Sequence, residues 1–254
     1  MEYDLIIVGG GPGGLTAGLY GARSGLRVLV LEKAIAGGKI TTADVVENYP
    51  GFPDGIGGFD LGQLMHQQAE KQGIETVYAE ATSIELQDKL RVVKTSEGDY
   101  RAAAVIVASG AEYAKLGVPG EQELTGKGVS YCATCDGAFF KDQPVAVLGG
   151  GDSALSEALF LTRFARRVTV VHRRDQLRAQ KILQERAFAE PKMDFRWNAV
   201  VEAIEGDKVV RQLHLRDVKS GEESTLEVAG VFVFVGFRPN TEFLGRLLPL
   251  DPAG

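Results

Sequence analysis

Two glycine-rich loops set in the same frame constrain this chain more than any other feature. The apolar run Leu5-Ile6-Ile7-Val8 leads into Gly9, Gly11 and Gly14, spaced G-x-G-x-x-G, ahead of a helix-compatible stretch over residues 15–24. Val145-Ala146-Val147-Leu148 leads into Gly149, Gly151 and Ala154 in the same spacing. Such a loop needs glycine because the chain turns tightly after a strand and its backbone must approach a pyrophosphate closely. The following helix N-terminus then offers free N–H groups to the anion. One copy alone is weak evidence of a nucleotide site. Here the intervals from Gly9 to Glu32 and from Gly149 to His172 are both 23 positions. The unit is therefore duplicated, and the expected fold class is α/β with two Rossmann-like dinucleotide-binding domains.

The same interval marks the residue that meets an adenosine ribose, and the two copies differ there in charge. After Arg27-Val28-Leu29-Val30-Leu31 comes Glu32. Its carboxylate accepts hydrogen bonds from ribose hydroxyls and repels a 2′-phosphate, which suits FAD or NAD. After Val168-Thr169-Val170-Val171 comes His172-Arg173-Arg174, with Arg178 one helical turn beyond Arg174 and no carboxylate at the ribose position. Converging guanidinium groups favour a phosphorylated cofactor by a few kcal/mol, which suits NADPH. The alternative is a solvated basic face opening a helix. Asp152 and Ser153, directly after Gly151, are assigned to the same NADPH site.

Composition limits the partners. With 254 residues, 44% hydrophobic and 24% charged, the chain is long for one domain and comfortable for two. A formal net charge of −6 and a pI near 5.3 leave no global basic field for nucleic acid or an anionic membrane. The most apolar stretch, residues 228–237, is short and broken by Gly230 and Gly236, so no membrane span is expected. The start, Met1-Glu2-Tyr3-Asp4, lacks the basic opening of a signal peptide, and a cytoplasmic location is expected.

The only cysteines form Cys132-Ala133-Thr134-Cys135. Their loop is too short for a structural staple, which leaves half a zinc site or a redox dithiol. His66, His172 and His214 do not stand at ligand spacing from the pair. A dithiol that cycles with its disulfide is the better account. Asp136 follows directly as a candidate proton shuttle for a departing thiolate, or as a turn residue in Asp136-Gly137.

Together, Gly9 to Gly14, Val46-Glu47-Asn48-Tyr49-Pro50-Gly51, Tyr131-Cys132-Ala133-Thr134-Cys135-Asp136-Gly137, Gly149-Gly150-Gly151 and His172-Arg173-Arg174 through Arg178 resemble the low-molecular-weight thioredoxin reductases. The resemblance runs over essentially the whole chain. It implies an FAD domain interrupted by an inserted NADPH domain that carries the cysteines, with oxidised thioredoxin or a thioredoxin-like protein as partner and a homodimer as assembly. It places Asn48 near the isoalloxazine, Ala108-Ser109-Gly110 at the return of the chain past FAD, and Cys135 nearest the flavin. Alternatives within the reading are a flavin disulfide oxidoreductase with another disulfide partner, and a nucleotide-binding module without turnover.

Expected boundaries follow from the breaker clusters and this resemblance. The FAD domain spans residues 1–112, the NADPH domain 118–236, and residues 240–254 return to the FAD domain. Leu116-Gly117-Val118-Pro119-Gly120 is a connector, with Gly120 and Gly236 as hinges. Residues 83–100 read as a strand pair with polar turns. Phe139 and Phe140 read equally well as a docking patch or as core. Compared with the family, Lys39 stands where Gln is common, and Ala138 where an aromatic is common. The resemblance also predicts a further segment that completes the FAD domain, without which a sheet edge is expected to be unpaired and flavin held more weakly.

Overall fold

Strand β1 (Glu2–Val8) is buried without interruption from Leu5 onward, as a parallel strand covered on both faces must be. It pairs in parallel with β2 (Val28–Glu32), reached through helix α1 (Pro12–Arg23). A 3₁₀ turn (Gly38–Thr42) and helix α2 (Gly58–Glu70) lead to β3 (Glu75–Tyr78), parallel to β2. The chain then meanders through β4 (Ala81–Gln87), β5 (Leu90–Thr95) and β6 (Gly98–Val107). The resulting sheet has the order β3-β2-β1-β6-β5-β4. Residues 83–100 thus hold parts of three strands rather than a pair, because β6 runs on past the second turn to lie parallel to β1. The structure, a computed structural model, describes residues 2–252.

Period-two alternation gives this sheet two cores. Leu5, Ile7, Val28 and Val30 face the helical side with Leu15 and Ala69, whereas Ile6, Val8, Leu29 and Leu31 face Ile84 and Val93 of the meander. Among the described residues, β5 covers β6 only over Gly98 to Ala102, and the later Ile106 and Val107 are exposed.

The second unit repeats the plan. Short strand β7 (Ala111–Tyr113) is followed by β8 (Val129–Ser130), helix α3 (Ala133–Asp136) and a 3₁₀ turn (Gly137–Phe140). Next come β9 (Pro144–Leu148), α4 (Asp152–Leu161), β10 (Arg167–Val171), α5 (Lys181–Ala189) and β11 (Met193–Arg196). A three-stranded antiparallel sheet, β12 (Ala199–Gly206), β13 (Val210–Asp217) and β14 (Glu223–Glu227), precedes β15 (Gly230–Val233). The parallel sheet has the order β11-β10-β9-β15-β8. Here a separate strand, β15, does beside β9 what β6 does beside β1. Val145, Val147 and Phe232 pack toward α4, and Ala146, Leu148 and Val231 toward the antiparallel sheet.

One compact unit reaches Glu112 and resumes at Arg238, while the other runs from Tyr113 to Phe237. Both crossings fall in paired strands, β7 and β16 (Phe237–Pro239). The expected connector over residues 116–120 therefore lies inside the second unit, and so does Gly120. A Cβ on Gly120, at φ +84°, would stand 1.8 Å from the Ile204 carbonyl oxygen, and the Ile204 N–H donates to Pro119 at 2.9 Å. This glycine is packed against β12, which corrects its reading as a hinge. Gly236, at φ +145° with open space around its Cβ direction, sits at the return crossing. Gly120→Ala is expected to cost about 3 kcal/mol of stability through strain and the forced shift of β12, measured by urea unfolding against wild type.

Candidate functional site

The first glycine loop is built by close approach. A Cβ on Gly9, at φ +109°, would lie 2.2 Å from the Ala108 carbonyl oxygen at the end of β6. A Cβ on Gly14 would lie 1.9 Å from the Gly9 carbonyl oxygen, so the first turn of α1 rests directly on the loop. Gly11 caps α1, no side chain caps it, and its first turn carries no acidic residue. That leaves N–H groups and the positive end of the helix dipole for an anion. Glu32 is buried; one carboxylate oxygen accepts the Gly10 N–H at 2.8 Å and the other the Ala34 N–H at 2.9 Å. Each oxygen keeps a lone pair for a ribose hydroxyl.

Beside this loop, Gly110 adopts φ +65° and its carbonyl accepts the Asn240 N–H at 3.0 Å. Ser109 Oγ donates to the Asn240 carbonyl at 2.7 Å, and Asn240 Nδ2 donates to the Ser109 carbonyl at 3.0 Å. Asn240 locks the return segment, a role no local signal announces. Asn48 lies on an exposed loop, and Lys39 is exposed.

The second loop follows the same rule with a different partner. A Cβ on Gly149, at φ +139°, would lie 2.4 Å from the Phe234 carbonyl oxygen beyond β15. Gly150 lies against the ring of His172, where a Cβ would come within 2.6 Å of Nδ1. In the first unit the matching contact is Glu32 Cβ, 3.0 Å from a Cβ on Gly10. In both copies, then, the residue at position 23 of the interval packs on the middle glycine. His172 is buried and its Nε2 has no hydrogen-bond partner. Burial, reinforced by the charges of Arg178, Arg174 and Arg173, pushes its imidazole below the ordinary value despite a backbone hydrogen bond at Gln176.

Arg173, Arg174 and Arg178 line one cavity of about 370 Å³, together with Asn198 and Lys219. The Arg178 N–H donates to the Gly150 carbonyl at 2.7 Å, which ties the arginine segment to the glycine loop. Asp152, at the start of α4, spends both carboxylate oxygens on Gln180, at 2.7 Å from its N–H and 3.1 Å from Nε2. Ser153 is half-buried in the first turn of α4.

Cys132 and Cys135 are joined as a disulfide. Cys132 caps the single-turn α3, its Sγ accepting the Cys135 N–H at 3.2 Å and lying 3.3 Å from Thr134 Oγ1. Glu157 of α4 accepts the Ala133 N–H at 3.1 Å. Asp136 ends α3 with its own N–H on the Cys132 carbonyl at 3.2 Å. Cys135 is exposed, and Cys132 is half-buried.

The residue before the pair, Tyr131, is held by a carboxylate that the sequence did not announce. Glu121 is 3% exposed and accepts from the Leu116 N–H at 2.9 Å, the Gly117 N–H at 2.7 Å and Tyr131 Oη at 2.8 Å. Burial and this acidic partner raise the Tyr131 phenol far above its ordinary value. On the other side of the motif the two phenylalanines part company. Phe140 stacks edge-on against Phe232 and fills the space over Gly230, whereas Phe139 is 76% exposed.

Two glycine loops, each opening a helix after a parallel strand, and a Cys132–Cys135 disulfide in one chain fit a class, the dinucleotide-dependent disulfide oxidoreductases. The chain matches the pyridine nucleotide-disulphide oxidoreductase family over residues 3–254 and belongs to it. It is 50% identical over 253 residues to a thioredoxin reductase of Streptomyces coelicolor, spanning 99% of this chain and 79% of that relative. It is 50% identical over 238 residues to a thioredoxin reductase of Bacillus subtilis, spanning 93% and 75%. The crystal structure of Lactococcus lactis thioredoxin reductase superposes with a TM-score of 0.97 at 44% identity, covering 99% of this chain and 83% of that one.

Two outcomes follow from this geometry. Glu121→Ala strands two amide donors beside a half-buried phenol and is expected to cost about 3 kcal/mol in urea unfolding, with Glu121→Gln milder. His172 is held neutral in the folded state with a lowered pKa, so the unfolded chain takes up the extra proton. Stability should fall as pH drops through about 6.5 toward the folded value. Unfolding midpoints at pH 7.5 and 5.5 should show that loss in wild type and a smaller one in His172→Gln.

Proposed function

We propose that this chain reduces the disulfide of thioredoxin or a thioredoxin-like protein, with NADPH as donor, FAD as relay and Cys132–Cys135 as the exchanging pair. The observation that carries this reading is a closed disulfide in the same unit as an arginine-lined nucleotide cavity. When bound, NADPH supplies a hydride and FAD hands two electrons to the disulfide. In the first unit, the N–H groups of α1 and the Glu32 carboxylate suit a pyrophosphate and an unphosphorylated ribose, as in FAD. In the second, the N-terminus of α4 and the three arginines suit pyrophosphate and a 2′-phosphate.

Reduction of the pair takes two electrons and two protons, opening the Cys132–Cys135 bond to a dithiol. One thiolate then attacks the partner disulfide, and the other displaces it from the mixed disulfide, which restores the bond and leaves the partner as a dithiol. The Cys135 N–H and Thr134 hydroxyl beside Cys132 Sγ support negative charge on that sulfur. Asp136, next to Cys135, is the proposed proton shuttle. Exposed Phe139 offers apolar surface to a small redox protein. The homodimer belongs to the same reading, on family resemblance.

An anaerobic NADPH titration tests the relay, following flavin absorbance and free thiols and then adding oxidised thioredoxin. Bleaching of the flavin, a gain of two thiols and their loss to thioredoxin are expected, with Cys132→Ser and Cys135→Ser each removing turnover while flavin still bleaches. A chain that binds NADPH yet is not reduced by it, even with added FAD, overturns the proposal.

A further inference from the structure

The arginine-lined cavity has a second wall that the glycine-loop pattern does not reach. It is the turn between β13 and β14. Val218 donates its N–H to the Asn198 carbonyl at 2.6 Å, and Asn198 donates to the Arg174 carbonyl at 3.2 Å. The turn is therefore strapped by backbone bonds to the arginine segment itself. Asp217 Oδ1 accepts the Lys219 N–H at 2.7 Å and the Ser220 N–H at 2.8 Å, which sets the turn conformation. Lys219 projects from it into the lining of the cavity, where its ammonium meets Asp175 Oδ2 at 2.7 Å.

Asp175 is out of place in a pocket meant for an anion. It lines the same cavity as the three arginines, and alone its carboxylate would repel a phosphate. Both partners of the pair are about 60% exposed, at 62% and 61%. An exposed pair of this kind is weak and opens readily for a stronger competitor. A phosphate dianion bordered by guanidinium groups is such a competitor, since ammonium groups bind phosphate as compact point charges.

Resting on the NADPH reading above, we propose that Lys219 is a specificity-determining residue for the 2′-phosphate, and that Asp175 competes with the phosphate for its ammonium. Lys219 masks Asp175 from the incoming phosphate and adds a fourth cation to the three arginines. The sign of each substitution follows. Removing Lys219 leaves an unmasked carboxylate facing the phosphate. Removing the Asp175 charge frees Lys219 and deletes the repulsion.

Calorimetric titration of the full chain with adenosine 2′,5′-bisphosphate, and with adenosine 5′-monophosphate as control, tests this without turnover. Lys219→Ala is expected to weaken the bisphosphate by about fivefold or more and leave the monophosphate unchanged. Asp175→Asn should tighten the bisphosphate, Lys219→Arg should retain wild-type affinity, and the Lys219→Ala effect should shrink at 0.5 M salt. Equal bisphosphate affinity in Lys219→Ala and wild type overturns the proposal. Equal weakening of both ligands also overturns it, by showing that Lys219 only supports the turn. A wild-type chain that does not distinguish the two ligands defeats the NADPH reading first, and this inference with it.

Discussion

The two glycine loops depend on how closely a backbone can pass the end of a neighbouring strand. Gly9 and Gly149 sit so near the carbonyls of Ala108 and Phe234 that a single extra carbon has no room. That approach fixes where α1 and α4 begin, and thus where their unpaired N–H groups point. It also brings the central strand into register with its return partner, β6 in one unit and β15 in the other. The cores on either face follow from strand alternation, and many other residues could build them. The loops have no such freedom.

Duplication explains why so much was legible. Glycine spacing and the shared interval to Glu32 and His172 depend on local backbone geometry, which sequence states directly. Each of those residues packs on the middle glycine of its loop. What was illegible was every contact between segments far apart in the chain with no pattern to link them. Asn240 on Ser109, Gln180 on Asp152 and Glu157 on Ala133 are single polar residues whose partners are set by tertiary placement. Gly120 reads as a hinge for a related reason. A glycine after proline signals a turn, and only the position of β12 reveals that the turn is wedged.

The redox pair shows the same division. Its chemistry was readable from two cysteines three positions apart, but its support was not. Glu121 and Glu157 both grip the segment, one through Tyr131 and one through the Ala133 amide. Two buried or half-buried carboxylates therefore hold the backbone and side chain beside the pair. Their consequence is geometric: the motif is anchored by groups other than its own sulfur–sulfur bond. Phe140, locked over Gly230, extends that grip to the far side of the motif, and leaves neighbouring Phe139 to face outward.

The ends of the second unit carry one further implication. Tyr113 and Phe237, its first and last residues, lie ring against ring at 5.1 Å, and Tyr113 also meets Phe234 edge-on at 5.2 Å. Once this unit has folded, its two ends are pinned together. The surrounding chain then experiences the whole of residues 113–237 as a short, closed loop, and the entropy of joining Glu112 to Arg238 no longer grows with the length between them. An insertion so terminated can lengthen or shorten with little entropic penalty to its host. Three aromatic rings thereby uncouple the length of the insertion from the closure of its host.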